Sequence, residues 1–458
     1  MSITVTPTSA NPEFSPAPFA ARRERLLAQM SARGGGLAIV FTAPEVMRNA
    51  DADYPYRHDS SFYYLCGFTE PQACLVLIAR PEGNQSILFC REKNLQREIW
   101  DGYRYGPQAA RLQFGFDAAA DIDTLDKEMP GLMADRPALY YAFGSEAALD
   151  TRMQGWLGAV RALVRSGVSA PPAAYDIKLL LNEMRLIKDL HEIGTMQRAA
   201  RIASDAHARA MRMARPGHRE YQLEAELLHE FRYNGAQFPA YTSIVATGAN
   251  ACVLHYRAGD AVLRDGDLVL IDAGCELDSY ASDITRTFPA NGIFSGPQKA
   301  LYEIVLASQY AAINAIAPGK RFVDAHQAAL KVLAQGMLDT GLLDANKVGS
   351  LDDVIANGNY SQFYMHRTSH WLGMDVHDVG DYLDPSVDGA ARLSRTLEAG
   401  MALTVEPGIY VRPAEGVPEQ YWNIGIRIED DALVSTDGCT ILSDAPKSVA
   451  DIETLMKH

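Results

Sequence analysis

The chain is short of cysteine, of tryptophan, of long apolar runs and of positive charge, and each shortage excludes something. Six cysteines are spread through 458 residues, at Cys66, Cys74, Cys90, Cys252, Cys275 and Cys439. None forms a CxxC pair and none stands at zinc-finger spacing from histidine, so they read as small buried hydrophobes of a reducing compartment. No apolar run reaches the length of a membrane span. The N-terminus has no basic start leading into an apolar block, which excludes a signal peptide and points to a cytoplasmic protein. The formal net charge is −15, the wrong sign for a chain whose main partner is nucleic acid. What remains is globular: 48% of residues are hydrophobic and 22% charged, in a chain long enough for two domains.

The first residues, MSITVTPTSANPEFS, read as a disordered tail over residues 1–15, with a helix starting at about Ala20. From there to about residue 175, apolar strands (GLAIVFT, ACLVLIA, QSILFC, ALYYAF) alternate with helical segments such as ALDTRMQGWLGAVRALV. An α/β domain over residues 16–175 is expected. SGVSAPPAAYD, residues 166–176, is the linker candidate, and KLLLNEMRLIKD a connecting helix. Residues 176–458 read differently. Long helical patterns (LHEIGTMQRAARIASDAHARAMRMA, YQLEAELLHEFRYNG, PQKALYEIVLASQYAAINAIA, DAHQAALKVLAQGML) accompany strands YTSIVATG, DLVLIDAG, SDITRTF, MALTVEPGIYV and IGIRIEDDALVS. That is an α+β domain built on a mostly antiparallel sheet.

Within it, LIDAGCELDSYASDITRTFP carries two aspartates, Asp272 and Asp283, against apolar strands, where Asp is a poor strand residue and costly to bury alone. A second pair repeats the form. Glu406 follows the strand ALTV, and Glu429 lies in IGIRIEDDALV. Each acid has an ordinary alternative: Asp272 and Glu406 precede Ala-Gly and Pro-Gly and can serve as turn residues, Asp283 can pair with Arg286, and Glu429 with Arg427. Taken jointly, two strand pairs each bearing two acids suit a pseudo-symmetric site in which four carboxylates face one centre. Such a centre needs positive charge. Four carboxylates and an imidazole suffice for two divalent ions, a known hydrolytic arrangement. Imidazoles cluster in MHRTSHWLGMDVHDVGDY, at His366, His370 and His377, read as strand or loop because of its glycines. The oxygen-rich donor set favours Mn²⁺, with Co²⁺ or Zn²⁺ as substitutes.

These segments, with HRTSHWLGMDVHDVG, LTVEPGIY and PEQYWNIGIRIEDD, together resemble the bacterial Xaa-Pro aminopeptidases (aminopeptidase P). That group belongs to the pita-bread metallopeptidases, with prolidase, methionine aminopeptidase and creatinase. PEVMRNADADYPYRHDSSFYYLCGFTEP and EMRLIKDLHEI extend the resemblance over nearly the whole chain. It implies an α/β N-terminal domain followed by an α+β pita-bread catalytic domain. It also implies two divalent metal ions: Asp272 on the first, His370 and Glu406 on the second, Asp283 and Glu429 bridging. Glu406 would also carry the proton to the leaving group. By the same resemblance His255, in VLHYR, lines the substrate site, His377 contacts the scissile region, His366 lies beside the metals and Arg427 supports the site. Tyr410, Asp51 and Trp100 would contact substrate, Trp100 from a neighbouring subunit of a homo-oligomer, either dimer or tetramer. One departure is Arg367, where relatives are expected to carry glycine. A long cation there can narrow access or bind a peptide carboxylate.

The implied reaction removes the first residue of a peptide whose second residue is proline. That bond is a tertiary amide without an N–H donor. The rival readings are a prolidase restricted to Xaa-Pro dipeptides, a non-catalytic pita-bread binding module, and a metal-free creatinase-like enzyme. The complete ligand set weighs against the last two.

Overall fold

A computed structural model describes residues 14–385, 387 and 393–457. Two compact units divide the chain, Met1–Glu183 and Met184–His458. Among the described residues no helix is long and apolar enough to cross a membrane.

The first unit is built on a six-stranded sheet. Its strands run, in spatial order, Ala118–Asp121, Gln85–Cys90, Cys74–Ala79, Gly36–Phe41, Ala138–Tyr141 and Ala173–Asp176. The three central pairings are mixed: Cys74–Ala79 is antiparallel to both Gln85–Cys90 and Gly36–Phe41, and Gly36–Phe41 is parallel to Ala138–Tyr141. Cys74–Ala79 is buried throughout, which explains its unbroken apolar sequence: both faces are covered. Leu37, Ile39, Val76 and Ile78 pack with Met129, Met133, Trp156 and Val160. The linker candidate ends in Ala173–Asp176, an edge strand parallel to Ala138–Tyr141. Its alanines and lone tyrosine lack the apolar density of an interior strand, so its composition resembled a linker's. The expected tail, residues 1–15, lies mostly outside the described residues. Its described end is anchored, since the Phe14 ring meets those of Phe19 (5.7 Å) and Phe114 (5.0 Å).

In the second unit the four long helices appear as Leu190–Met213, Glu220–Tyr233, Gly296–Asn314 and Phe322–Asp339. Asp189 opens the first with a reciprocal capping box to Glu192, and Ser295 opens the third with one to Gln298, satisfying N–H groups that the helix cannot. The helices pack as two pairs. The later pair approaches closely at Gly336, where a Cβ would lie 2.4 Å from Ile304 Cγ2. The strands are short and antiparallel. Leu268–Asp272 lies between Ile244–Thr247 and Thr285–Pro289, Ala402–Val405 pairs with Asp430–Val434, and Gly408–Val411 with Ile424–Arg427.

The expected continuous strands MALTVEPGIYV and IGIRIEDDALVS are thus each broken in two. The first breaks at Glu406-Pro407 and the second at Ile428-Glu429. Pro407 has no N–H to contribute to a ladder. The broken halves enter different sheets. Every acid singled out in the sequence therefore sits where a strand ends or a ladder is interrupted.

Candidate metal centre

Two turns of chain bring the aspartates together. Leu268–Asp272 exits through Ala273, whose N–H donates to Ile284 O at 3.0 Å. At Gly274 a Cβ would lie 1.7 Å from Ser282 O, so only glycine permits the approach that places Asp272 beside Asp283. The Tyr241 hydroxyl lies between them, 2.5 Å from Asp272 Oδ1 and hydrogen-bonded to Asp283 Oδ1. The glutamates enter from the other strand group. The Glu429 N–H donates to Thr285 O at 3.0 Å, a single bridge that couples the two groups. Thr285 Oγ1 donates to Glu429 Oε2 at 2.6 Å and accepts from Arg427 Nε at 3.1 Å. The Glu406 N–H is held by Thr368 O at 2.8 Å.

His370 completes the cluster. Its Nε2 stands 3.4 Å from Asp283 Oδ2 and 3.7 Å from Glu406 Oε1. Its Nδ1 is 2.9 Å from Trp371 O, a contact that makes Nδ1 the donor and frees Nε2 as a ligand atom in the neutral ring. Asp283, His370 and Glu429 each offer a donor atom, all within 4.8 Å of one another. The alternative pairings of these acids with nearby arginines are not the ones observed. Arg286 is fully buried against Asp430 at 2.6 Å, away from Asp283. Arg427 reaches Asp272 Oδ2 at 2.5 Å rather than forming an ion pair with Glu429.

Charge is out of balance here. Burial, reinforced by neighbouring carboxylates, raises the acid pKa values of Asp283, Glu406 and Glu429, that of Glu406 to about 7. Burial opposes charge on His370, yet Asp283 and Glu406 outweigh it and raise its pKa to about 9. Burial also raises the Tyr241 pKa far above a normal phenol, with Asp272 and Asp283 adding to the effect. A group of acids that hold protons against their usual tendency fits divalent cations, which would favour every ionised form at once.

The cluster lines a cavity of about 560 Å³. Asp272, Asp283, His370, Glu406 and Glu429 all contribute, as do His255, His366, His377, Arg367 and Arg427. The His377 ring meets the His370 ring edge-on at 4.2 Å. Tyr410 is fully buried and is not among the lining residues. Its hydroxyl accepts from Arg427 Nη1 at 2.9 Å and lies 2.9 Å from His366 Nε2, so it supports the wall from behind. Asp51 and Trp100 belong to the first unit and are not among the lining residues; Trp100 is 83% exposed on the helix Leu95–Asp101.

A family model described as metallopeptidase family M24 matches residues 194–436, and one described as the aminopeptidase P N-terminal domain matches residues 19–140. The chain belongs to metallopeptidase family M24. It is 43% identical to the Xaa-Pro aminopeptidase of Escherichia coli, over 97% of this chain and 98% of that one. It is also 43% identical to that of Haemophilus influenzae, over 96% of each. Among solved structures, the aminopeptidase PepP of Pseudomonas aeruginosa superposes with a TM-score of 0.92 at 48% identity, covering 97% of this chain and 98% of that one. The expected architecture, an α/β N-terminal domain before a pita-bread catalytic domain, therefore stands.

Several residues of this M24 site escaped the sequence. Tyr241 lies three residues before the strand Ile244–Thr247, in a stretch, YTSIVATG, that reads as an ordinary strand, and nothing local marks it. Thr285 was findable, since it follows Asp283 by two in a strand-like run and so shares its side. His326, from the helix Phe322–Asp339, lies 2.9 Å from Thr368 Oγ1 and lines the cavity. Asp431 is buried behind Asp283, accepting from its N–H at 3.0 Å. Phe322, Val323, Tyr382 and Leu383 supply an apolar wall.

Proposed function

We propose that the chain is a dinuclear-metal aminopeptidase that releases the N-terminal residue of peptides with proline in second position. The observation that carries this reading is the convergence of four carboxylates and His370 on one open cavity, with three donor atoms within 4.8 Å. Asp272, Asp283, His370, Glu406 and Glu429 hold the two divalent ions. Mn²⁺ suits their oxygen-rich donor set best, and Co²⁺ or Zn²⁺ can replace it. The ions, when bound, activate water and polarise the scissile carbonyl.

The remaining roles belong to the chain. Glu406 faces the cavity beside His370 and, as a carboxylate, is suited to take a proton from the attacking water and pass it to the departing prolyl nitrogen. His377 and His255 face the cavity and offer N–H donors to the carbonyl oxygen as it gains charge. Arg427 holds Asp272 in place at 2.5 Å, and His366 is held by Tyr410. The apolar wall of Phe322, Val323 and Leu383 accommodates the proline ring and excludes water. A cytoplasmic location fits six unpaired cysteines. The reading includes a homo-oligomer, dimer or tetramer, in which Asp51 reaches the active site and the exposed Trp100 reaches that of a neighbouring subunit.

Hydrolysis of Ala-Pro and Ala-Pro-Pro after Mn²⁺ loading tests it. Cleavage of Ala-Pro-Pro is expected. Cleavage of Ala-Pro alone would transfer the reading to a prolidase, and cleavage of neither would end it.

A further inference from the structure

The cavity has two guanidinium groups in its lining, Arg427 and Arg367. Arg427 is buried and committed, to Asp272 through one nitrogen and to Tyr410 through another. Arg367 is the opposite case. Its side chain is exposed and forms no hydrogen bond or ion pair among the described residues.

Its backbone, by contrast, is fixed on both sides. Arg367 O lies 2.7 Å from His366 Nδ1. On the next residue, Thr368 Oγ1 lies 2.6 Å from the Tyr364 hydroxyl and 2.9 Å from His326 Nδ1. Thr368 O accepts the Glu406 N–H at 2.8 Å. The stem of Arg367 is thereby tied to the same turn that positions Glu406, while its head is left without an anion. A cation that only narrowed the cleft would gain nothing from this arrangement. The unpaired guanidinium is suited to a bidentate partner. The acids on the cavity floor face one another around His370, so the missing partner comes from the substrate.

We infer that Arg367 reads a carboxylate carried by the peptide on the C-terminal side of its prolyl residue, and so favours short peptides with a free C-terminus or peptides with an acidic third residue. This rests on the proposed aminopeptidase reading and specifies its substrate class. The amino end of the peptide is consumed at the carboxylate cluster, so only the far end is available to a cation on the wall. Guanidinium–carboxylate contacts of this kind are specific and weaken with salt where exposed.

The test compares kcat/KM of Mn²⁺-loaded wild type, Arg367→Gln and Arg367→Lys on two matched pairs. One is Ala-Pro-Ala against its C-terminal amide. The other is Ala-Pro-Glu-Ala-amide against Ala-Pro-Gln-Ala-amide. Wild type is expected to prefer the carboxylate member of at least one pair by about tenfold at low salt. The preference should fall towards one in Arg367→Gln and survive in part in Arg367→Lys. The first pair reports a C-terminal carboxylate, the second a side-chain carboxylate. Calorimetric binding of the dipeptide Pro-Ala against its amide should show the same contrast without turnover. A preference that persists in Arg367→Gln, or a variant that loses rate equally on both members, overturns the assignment. So does a wild type that cleaves every peptide without distinction, which leaves the aminopeptidase reading standing. Failure of wild type on all four removes both.

Discussion

Replacing Glu406 with glutamine is expected to abolish peptidase activity and yet to make the metal-free protein more stable at pH 8. The reasoning starts from burial: Glu406 is 18% exposed, and burial raises its pKa from 4.5 to about 7, with Asp283 and Asp272 adding to the rise. That difference corresponds to on the order of 3 kcal/mol. For an acid whose folded pKa is raised, the contribution is absent at low pH, where both states are protonated. As pH rises through the range from 4.5 to about 7, the unfolded chain ionises first and stability falls. His370 acts with the same sign. Its stabilisation is complete below its usual value of 6.5 and is lost as pH passes about 9. Metal-free wild type should therefore lose stability steadily from about pH 4.5 to pH 9. Glutamine cannot ionise, and it forfeits some attraction to His370, so the net gain at pH 8 is about 1–3 kcal/mol. For a unit of this size each kcal/mol moves Tm by roughly 2–4 °C. Calorimetry in chelator at pH 5 and pH 8 reads this directly. A variant no more stable than wild type at pH 8, or equally favoured at both pH values, would refute the electrostatic reasoning.

Three further outcomes follow from the second layer of the site. Asp430→Asn should lower stability by about 3–5 kcal/mol, because Arg286 and Lys447, now 2.6 Å from its carboxylate, would face a neutral amide in the interior; urea unfolding followed by circular dichroism measures it. Thr285→Val should leave the fold intact but weaken Mn²⁺ binding by roughly tenfold, since it removes the donor to Glu429 and the acceptor for Arg427; calorimetric titration of the metal checks this. His377→Gln should lower kcat while metal content, measured by mass spectrometry, stays at the wild-type level, because the ring touches His370 without joining the donor cluster. Equal loss of metal and rate would instead place His377 in the ligand set.

The sequence made some of this legible and hid the rest for identifiable reasons. The long helices were readable because their apolar positions recur at helical spacing, and the four interior strands of the first-unit sheet because they are almost wholly buried. The acids stood out because aspartate and glutamate seldom interrupt apolar runs without cause. The breaks at Glu406 and Glu429 were less visible. Each half-strand is apolar, and only the exchange of sheet partners separates it from its neighbour. The edge strand Ala173–Asp176 was lost for want of side-chain bulk. Tyr241, Asp431 and His326 were hidden because their roles depend on contacts across 42, 148 and 42 residues of chain respectively, which local patterns do not encode. The commitment of Arg427 to Asp272 was obscured in the same way: Glu429, two residues on, offered a nearer partner in sequence than the one 155 residues away.

Anomalous diffraction from crystals of the Mn²⁺-loaded protein, recorded at the manganese edge, is the most direct measurement to make. Two peaks within coordination distance of Asp272, Asp283, His370, Glu406 and Glu429 are expected, with both lost or displaced in Asp283→Ala. Peaks elsewhere, or full manganese occupancy retained in the variant, would contradict the assignment of this cluster as the metal centre.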